Sequence, residues 1–472
     1  MHNPEAAKRV IHRIEHSVDM LALQRAYPAR YPHLLASSAH GTAQGRYDIL
    51  LAFPDSQLRF DGQVCRRDGR TLSGDFLHEF DAWWQAERIP ELEDADVVGL
   101  PFHGGWFFYL GYEFAHVLEP SVQPTVPKSQ ARAEYALPVA YAERCPAALI
   151  FDHHEQAMWW VEEGSMPTRW AQCAEDIQQL EAMPLDAGGG NESLPAFEFT
   201  EDDADTFLRG VERIRDYIFA GDIFQANLSR AWHGRFAQAP QPALLFAQLA
   251  RNNPGPFAAL VHIDGQAIVS SSPERLVSSR HGVIETRPIA GTRRRGVDAD
   301  EDAALKAELI IHPKERAEHI MLLDLERNDL GRVATPGSVQ VDECMVIESY
   351  RHVHHIVSNV RARLRAEITP GQVLAAMFPG GTITGCPKVR CMQILAELES
   401  VPREAYTGSL GYLNRDGSLD SNILIRTLQL DGADFVLRAG AGIVADSVAA
   451  EELLETRAKA RGLLRALGLG AS

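Results

Sequence analysis

Apolar positions recur along the chain at two different spacings. Alternating or short unbroken apolar runs predict strands at Tyr47–Phe53, Ala147–Phe151 and Ile223–Arg230. Gly104–Tyr112 reads as an aromatic strand punctuated by glycine, its rings suited to core packing. Ala258–His262 and Ala267–Ser270 flank Asp264-Gly265, which predicts a hairpin. Helical spacing marks Arg169–Met183 and Asp202–Ala220. In the second, Phe207, Val211, Ile214 and Ile218 share a face, and Gly221-Asp222 stops the helix. A further helical stretch runs from Asp302 to Leu325, with a break expected near Pro313. His352–Ser358 alternates like a strand, so His354 and His355 face opposite ways.

The chain has 472 residues, more than one ordinary core holds. The stretch 184–196, with Gly188-Gly189-Gly190 at its centre, is the expected linker between an N-terminal subdomain (1–183) and a catalytic subdomain (197–472). A formal net charge of −18 argues against a nucleic-acid partner, because no basic face is legible. The six cysteines include no Cys-x-x-Cys pair and read as free thiols in a reducing compartment. The first residues lack a signal-peptide layout, and no run of about 18 apolar residues occurs. The expectation is a soluble cytoplasmic protein without a membrane span.

Candidate chemistry concentrates late in the chain. Pro379–Lys388 and Ala439–Ser447 are glycine-rich turns, Arg426 is isolated between them, and Glu452, Glu455 and Lys459 follow on a helical pattern. Glycines let backbone N–H groups approach oxyanions, and arginine grips a carboxylate through two parallel bonds. Glu315 and Glu318 form a second pair at the same spacing as Glu452 and Glu455. Each pair alone suits a solvated helix face. With the flanking motifs they point to a shared site for a hard cation, Mg²⁺ rather than zinc, since no Cys/His cluster accompanies them. Glu274 follows a proline at a strand end, as a buried general acid would, and His355 is a candidate acid/base group. The Gly380-Gly381-Thr382 segment lacks the spacing of a nucleotide-binding P-loop. Arg293–Arg295 reads as a solvated loop.

Seven segments together resemble the chorismate-utilising enzymes: Ser272–Glu274, Pro288–Thr292, Lys314–His319, His355–Ser358, Gly381–Lys388, Ile425–Thr427 and Gly440–Ser447. That family includes anthranilate synthase component I, aminodeoxychorismate synthase component I, and the isochorismate and salicylate synthases. The resemblance implies an α+β fold, two antiparallel β-sheets packed as a sandwich and surrounded by helices, with chorismate in a cleft. It further implies that Glu318 and Glu455 bind Mg²⁺, with Glu315 and Glu452 close by, partly through water. Arg426 and Tyr412 would address the enolpyruvyl side, helped by the backbone of Gly440, Ala441 and Gly442. Thr382 and Lys459 would complete the polar shell, Glu274 would protonate the departing ring hydroxyl, and His355 would support charge at the ring.

Within the family, isochorismate and salicylate synthases resemble one another in carrying a lysine, as base for water, where Gln225 stands here. A neutral amide cannot deprotonate water, so ammonia is the expected nucleophile, delivered by a glutamine amidotransferase on a separate chain. Arg46–Ile49, Pro254–Ala258 and Pro379–Gly385 look like the aminodeoxychorismate branch, and Leu34-Leu35-Ala36-Ser37 departs from the tryptophan-sensing pattern of anthranilate synthases. Ala290 cuts the other way. It stands where many aminodeoxychorismate synthases carry a nucleophilic lysine, and anthranilate synthases also have alanine there. The expectation is amination of chorismate to 4-amino-4-deoxychorismate, with anthranilate formation as the alternative and a non-catalytic ligand-binding relative as the third reading.

Overall fold

Two antiparallel sheets, each of twelve strands among the described residues, carry the molecule. The computed structural model describes residues 8–469 except 40–43, 91, 93–98, 123–136, 165, 167, 183–192, 351–352 and 400. Most of the expected linker, and His352, therefore lie outside the described residues.

Neither sheet belongs to one half of the sequence. In the first, His33–Ala36 pairs with Phe257–Ile263. In the second, Gly105–Leu110 pairs with Ser409–Asn414. Segments on both sides of the 184–196 stretch thus extend the same hydrogen-bonded ladders. The facing sides of the sheets enclose a core that includes Ile49, Leu51, Phe107, Tyr109, Ala259, Val261 and Leu410. Helices cover the outer faces through two further apolar clusters.

The aromatic strand shows how sequence sets this layering. Phe107 and Tyr109 point between the sheets. Trp106, Phe108 and Leu110 alternate to the opposite, helix-covered side. A strand covered on both faces needs a continuous apolar run, because no side chain reaches water.

Other expected elements form with small changes of boundary. The 204–219 helix, Ala204–Phe219, is capped by Asp203 and buries Phe207, Val211 and Ile214. The hairpin closes at Asp264 and Gly265, both at positive φ (51° and 83°), as a two-residue turn matched to strand twist requires. The long helical stretch is two helices, Ala299–Ile311 and Pro313–Gly331. His312 between them is extended, because the proline ring crowds the helical conformation of the residue before it. Among the described residues no helix is long and apolar enough to cross a membrane.

Candidate active site

The cleft is floored by two neighbouring strands, Gln225–Phe236 and Asp434–Ile443, with Gly442 opposite Asn227 and Gly440 opposite Ser229. Side chains at these two glycines would intrude on the cleft. A Cβ at Gly442 would collide with Gln225 Nε2, and one at Gly440 would lie 2.8 Å from the Tyr406 hydroxyl oxygen. Ala441, between them, points the other way into a core with Phe207, Leu228 and Leu395, as strand alternation dictates. Only its backbone is available to the cleft.

Glu274 sits where the second strand of the hairpin hands over to Arg275–Arg280, and its side chain is buried. Burial pushes its carboxyl up to about 7, against the opposing pull of Thr382, the Ile289 backbone, Arg426 and Lys459. Thr382 lies in a single 3₁₀ turn, Gly381–Ile383. Its hydroxyl is near enough to favour the ionised acid. Glu274 Oε1 and Thr382 Oγ1 are both buried without a hydrogen-bond partner. Such atoms cost about 1–3 kcal/mol each unless a ligand satisfies them.

Two cations approach the same space. Arg426 has φ of 52°, left-handed for a residue with a side chain, and its carbonyl accepts from the Ser271 N–H at 3.1 Å. Its guanidinium makes no ion pair among the described residues; burial lowers its pKa, with Glu274 and Tyr350 acting against that. Lys459 pairs with Glu455 at 2.7 Å. Partial desolvation lowers the Lys459 ammonium, whose side chain stays about half exposed, but Glu455, Tyr406 and Glu318 outweigh it and raise the pKa.

His355 is buried with its Nδ1 2.9 Å from Thr292 Oγ1. Burial, reinforced by Arg426, drives it down to about 3, so the imidazole is neutral near pH 7. Ala290 is buried in the adjacent strand, opposite Ile356 and just before an irregularity in the ladder where Gly291 takes φ of 73°.

Glu318 accepts from Gln225 Nε2 at 2.7 Å. Burial raises its pKa, Gln225 opposes that, and the carboxylates of Glu315 and Glu455 raise it further. Mutual repulsion among oxygen donors is what a bound divalent cation relieves. Not all four predicted ligands are equally placed. Glu315 is held by Arg293 at 3.0 Å, and Glu452 is buried one turn before Glu455. Among the described residues no three acidic, His or Cys side chains are gathered closely enough to hold a metal by themselves. A hard divalent cation here would be held by Glu318 and its neighbour Glu455 only with water or substrate oxygens completing its shell.

Tyr412 is not in the cleft, which corrects its expected role. It packs edge-on against Phe102, ring centres 5.8 Å apart. It lines a separate cavity of about 390 Å³ with Leu35, Ala36, Phe257, Arg275 and Asp420. Strand alternation is the cause, since Ser409–Asn414 sends Tyr412 toward the space between the sheets. Tyr406, which the sequence reading passed over, takes the place beside Gly440 and within electrostatic reach of Lys459. Its only local signal is the Tyr406-Thr407-Gly408 turn before the strand, where Thr407 has φ of 63°.

Comparison with known proteins agrees with this architecture. Residues 38–465 match the family described as chorismate binding enzyme. An anthranilate synthase component I-like protein of Synechocystis sp. (strain ATCC 27184 / PCC 6803 / Kazusa) is 44% identical over 94% of this chain and 86% of its own. Aminodeoxychorismate synthase component 1 of Bacillus subtilis (strain 168) is 38% identical over 93% of each chain. The crystal structure of anthranilate synthase component I from Streptococcus pneumoniae TIGR4 superposes with a TM-score of 0.76 at 30% identity, covering 89% of this chain and 93% of that one.

Proposed function

The chain belongs to the chorismate binding enzyme family, and from that premise we propose that it is component I of an aminodeoxychorismate synthase, converting chorismate and ammonia to 4-amino-4-deoxychorismate. The observation that carries amination is Gln225. A neutral amide donating to Glu318 at 2.7 Å, with its own Oε1 buried and unpartnered, can orient ammonia but cannot deprotonate water.

In this reading Arg426 and the backbone at Gly440 and Gly442 hold the enolpyruvyl carboxylate, and Lys459 and Tyr406 close the polar wall. Glu318 and Glu455 would hold Mg²⁺, which would supply an electrostatic anchor for the ring carboxylate. Glu274 gives its proton to the ring hydroxyl so that water leaves instead of hydroxide. Its pKa of about 7 leaves it half protonated at neutral pH, where a free glutamate would be almost fully ionised. Neutral His355 polarises the ring without adding charge beside Arg426. Ammonia arrives from a glutamine amidotransferase subunit on a separate chain, and free ammonium replaces it at a cost in efficiency.

The 4-amino outcome is supported by the resemblance of Arg46–Ile49 to the aminodeoxychorismate branch. Asp48 accepts from the Ser37 N–H at 2.7 Å and contacts His153 Nε2 at 2.9 Å, tying down the segment that lines the second cavity. A second reading, anthranilate synthase, is favoured by Ala290, which offers no nucleophile, and by the name of the Synechocystis relative. Amination itself is tested by following chorismate with Mg²⁺ while ammonium is titrated. Saturable, ammonium-dependent consumption is expected. Consumption indifferent to ammonium would remove both amine-forming readings.

A further inference from the structure

Arg403 touches none of the expected substrate positions, yet three walls of the cleft meet on it. Its side chain is fully buried. Nε and Nη2 each donate to Glu399 at 2.7 Å, and Nη2 also donates to the Asn227 carbonyl at 2.7 Å. Nη1 donates to the Ile383 carbonyl at 3.2 Å and to Thr407 Oγ1 at 3.3 Å. The guanidinium also stands 4.6 Å from the Tyr112 ring centre and 5.8 Å from that of Tyr406. Glu399 extends the brace by accepting from both the N–H and the hydroxyl of Ser229 at 2.9 Å.

Three of the acceptors lie within two residues of a cleft residue. Asn227 is two residues beyond Gln225 on the same strand face, Ile383 follows Thr382, and Thr407 follows Tyr406. These segments are far apart in sequence, and Arg403 is bonded to all three. We infer that Arg403 is a positioning residue that sets the distance between the nucleophile side of the cleft at Gln225 and the acid side at Thr382 and Glu274. Its planar fork of five N–H donors makes this possible, and a lysine, with three donors on one atom, cannot span the same acceptors. The inference deepens the amination reading of the same cleft and rests on it.

The test uses the full-length protein and Arg403→Lys, which keeps a cation beside Glu399. Thr407→Val is a second variant that removes the Nη1 contact, together with the hydroxyl's bond to the Tyr406 carbonyl, without stranding a buried charge. Chorismate and ammonium kinetics are measured well below each variant's unfolding temperature, with folded fraction followed by circular dichroism. For Arg403→Lys, kcat should fall about 100-fold, as a misplacement near 1 Å can cause, with the ammonium KM raised. The chorismate KM should stay within about threefold, because Arg426 and Lys459 are untouched. Thr407→Val should show the same pattern with a smaller loss. Activity that merely follows the folded fraction, or an equal fall through chorismate KM alone, would overturn the inference. The comparison is of variant with wild type, whichever product forms. A wild-type protein indifferent to ammonium would count against the amination reading instead, and kcat for the product it does form then decides the role of Arg403.

Discussion

The cleft and the cavity beside Tyr412 treat polar groups in opposite ways. In the cleft, Glu274 Oε1, Thr382 Oγ1, Gln225 Oε1 and Asn227 Oδ1 are buried and unpartnered, and Arg426 has no ion pair among the described residues. In the second cavity, Arg275 makes two 2.9 Å bonds to Asp420 and a third contact to Glu285. Ser421 and Asn422 are likewise bonded to backbone carbonyls. None of the side chains lining that cavity has a buried unpaired polar atom among the described residues. Hydrogen-bonding capacity held unspent against a cost in stability marks the region prepared for a reacting ligand, whereas fully paired charges mark a wall whose main task is cohesion.

The contrast breaks most sharply at the acid. Glu274→Gln should lower kcat about 10²–10⁴-fold, the range for losing a general acid, while the protein stays folded. Steady-state chorismate consumption and a thermal melt read the two effects separately. Glu318→Gln and Glu455→Gln should each abolish the response to Mg²⁺, measured by titrating the metal after chelator treatment. Full activity in both variants would make the metal assignment wrong.

Arg275→Met in the other region should do the reverse. It strands Asp420 and should cost about 3 kcal/mol in denaturant unfolding, leaving activity per folded molecule nearly intact.

The pH profile sharpens the comparison further. In its proposed role Glu274 acts protonated, and its pKa in the substrate-free protein is raised to about 7, so kcat/KM should fall about tenfold per unit once pH is well above 7. The native state holds this proton more tightly than the unfolded chain. Its contribution to stability is therefore present at low pH and lost as pH rises from the ordinary glutamate range through 7. Glu274→Gln should flatten that part of the stability curve. The smallest effect is expected from added tryptophan, because Leu34–Ser37 and Pro254–Ala258 depart from the tryptophan-sensing pattern. Leu35, Ala36, Pro256, Phe257 and Ala258 meet at the second cavity, and inhibition assays should show no change in rate.

Features governed by local rules were legible in the sequence. The break at Pro313, the turn at Asp264-Gly265 and the apolar face of the 204–219 helix follow from neighbours a few residues away. Glu274, next to Pro273, and Thr382, after Gly380-Gly381, could be singled out because such residues constrain the backbone locally, whereas Gln225 and Arg426 carried no such local signal. Tyr412 was misplaced because both it and Tyr406 flank the same glycine-containing stretch, and only strand direction and register decide which reaches the cleft. The sharing of both sheets between the two halves of the chain was hidden for a related reason. Pairings such as Leu34 with Leu260, and Phe108 with Gly411, join residues hundreds of positions apart and leave no periodic trace. Arg403 was hidden too, since two of its acceptors are backbone carbonyls, which residue type does not reveal.

The decisive measurement is the product. Purified chain, chorismate, Mg²⁺ and an ammonium salt are incubated with and without a lyase that releases 4-aminobenzoate, and the mixtures are separated by chromatography. 4-Aminobenzoate that appears only with the lyase is the expected result, and it would show that amination proceeds with alanine at position 290. Anthranilate appearing without the lyase would contradict it and place this cleft in the anthranilate branch of the family.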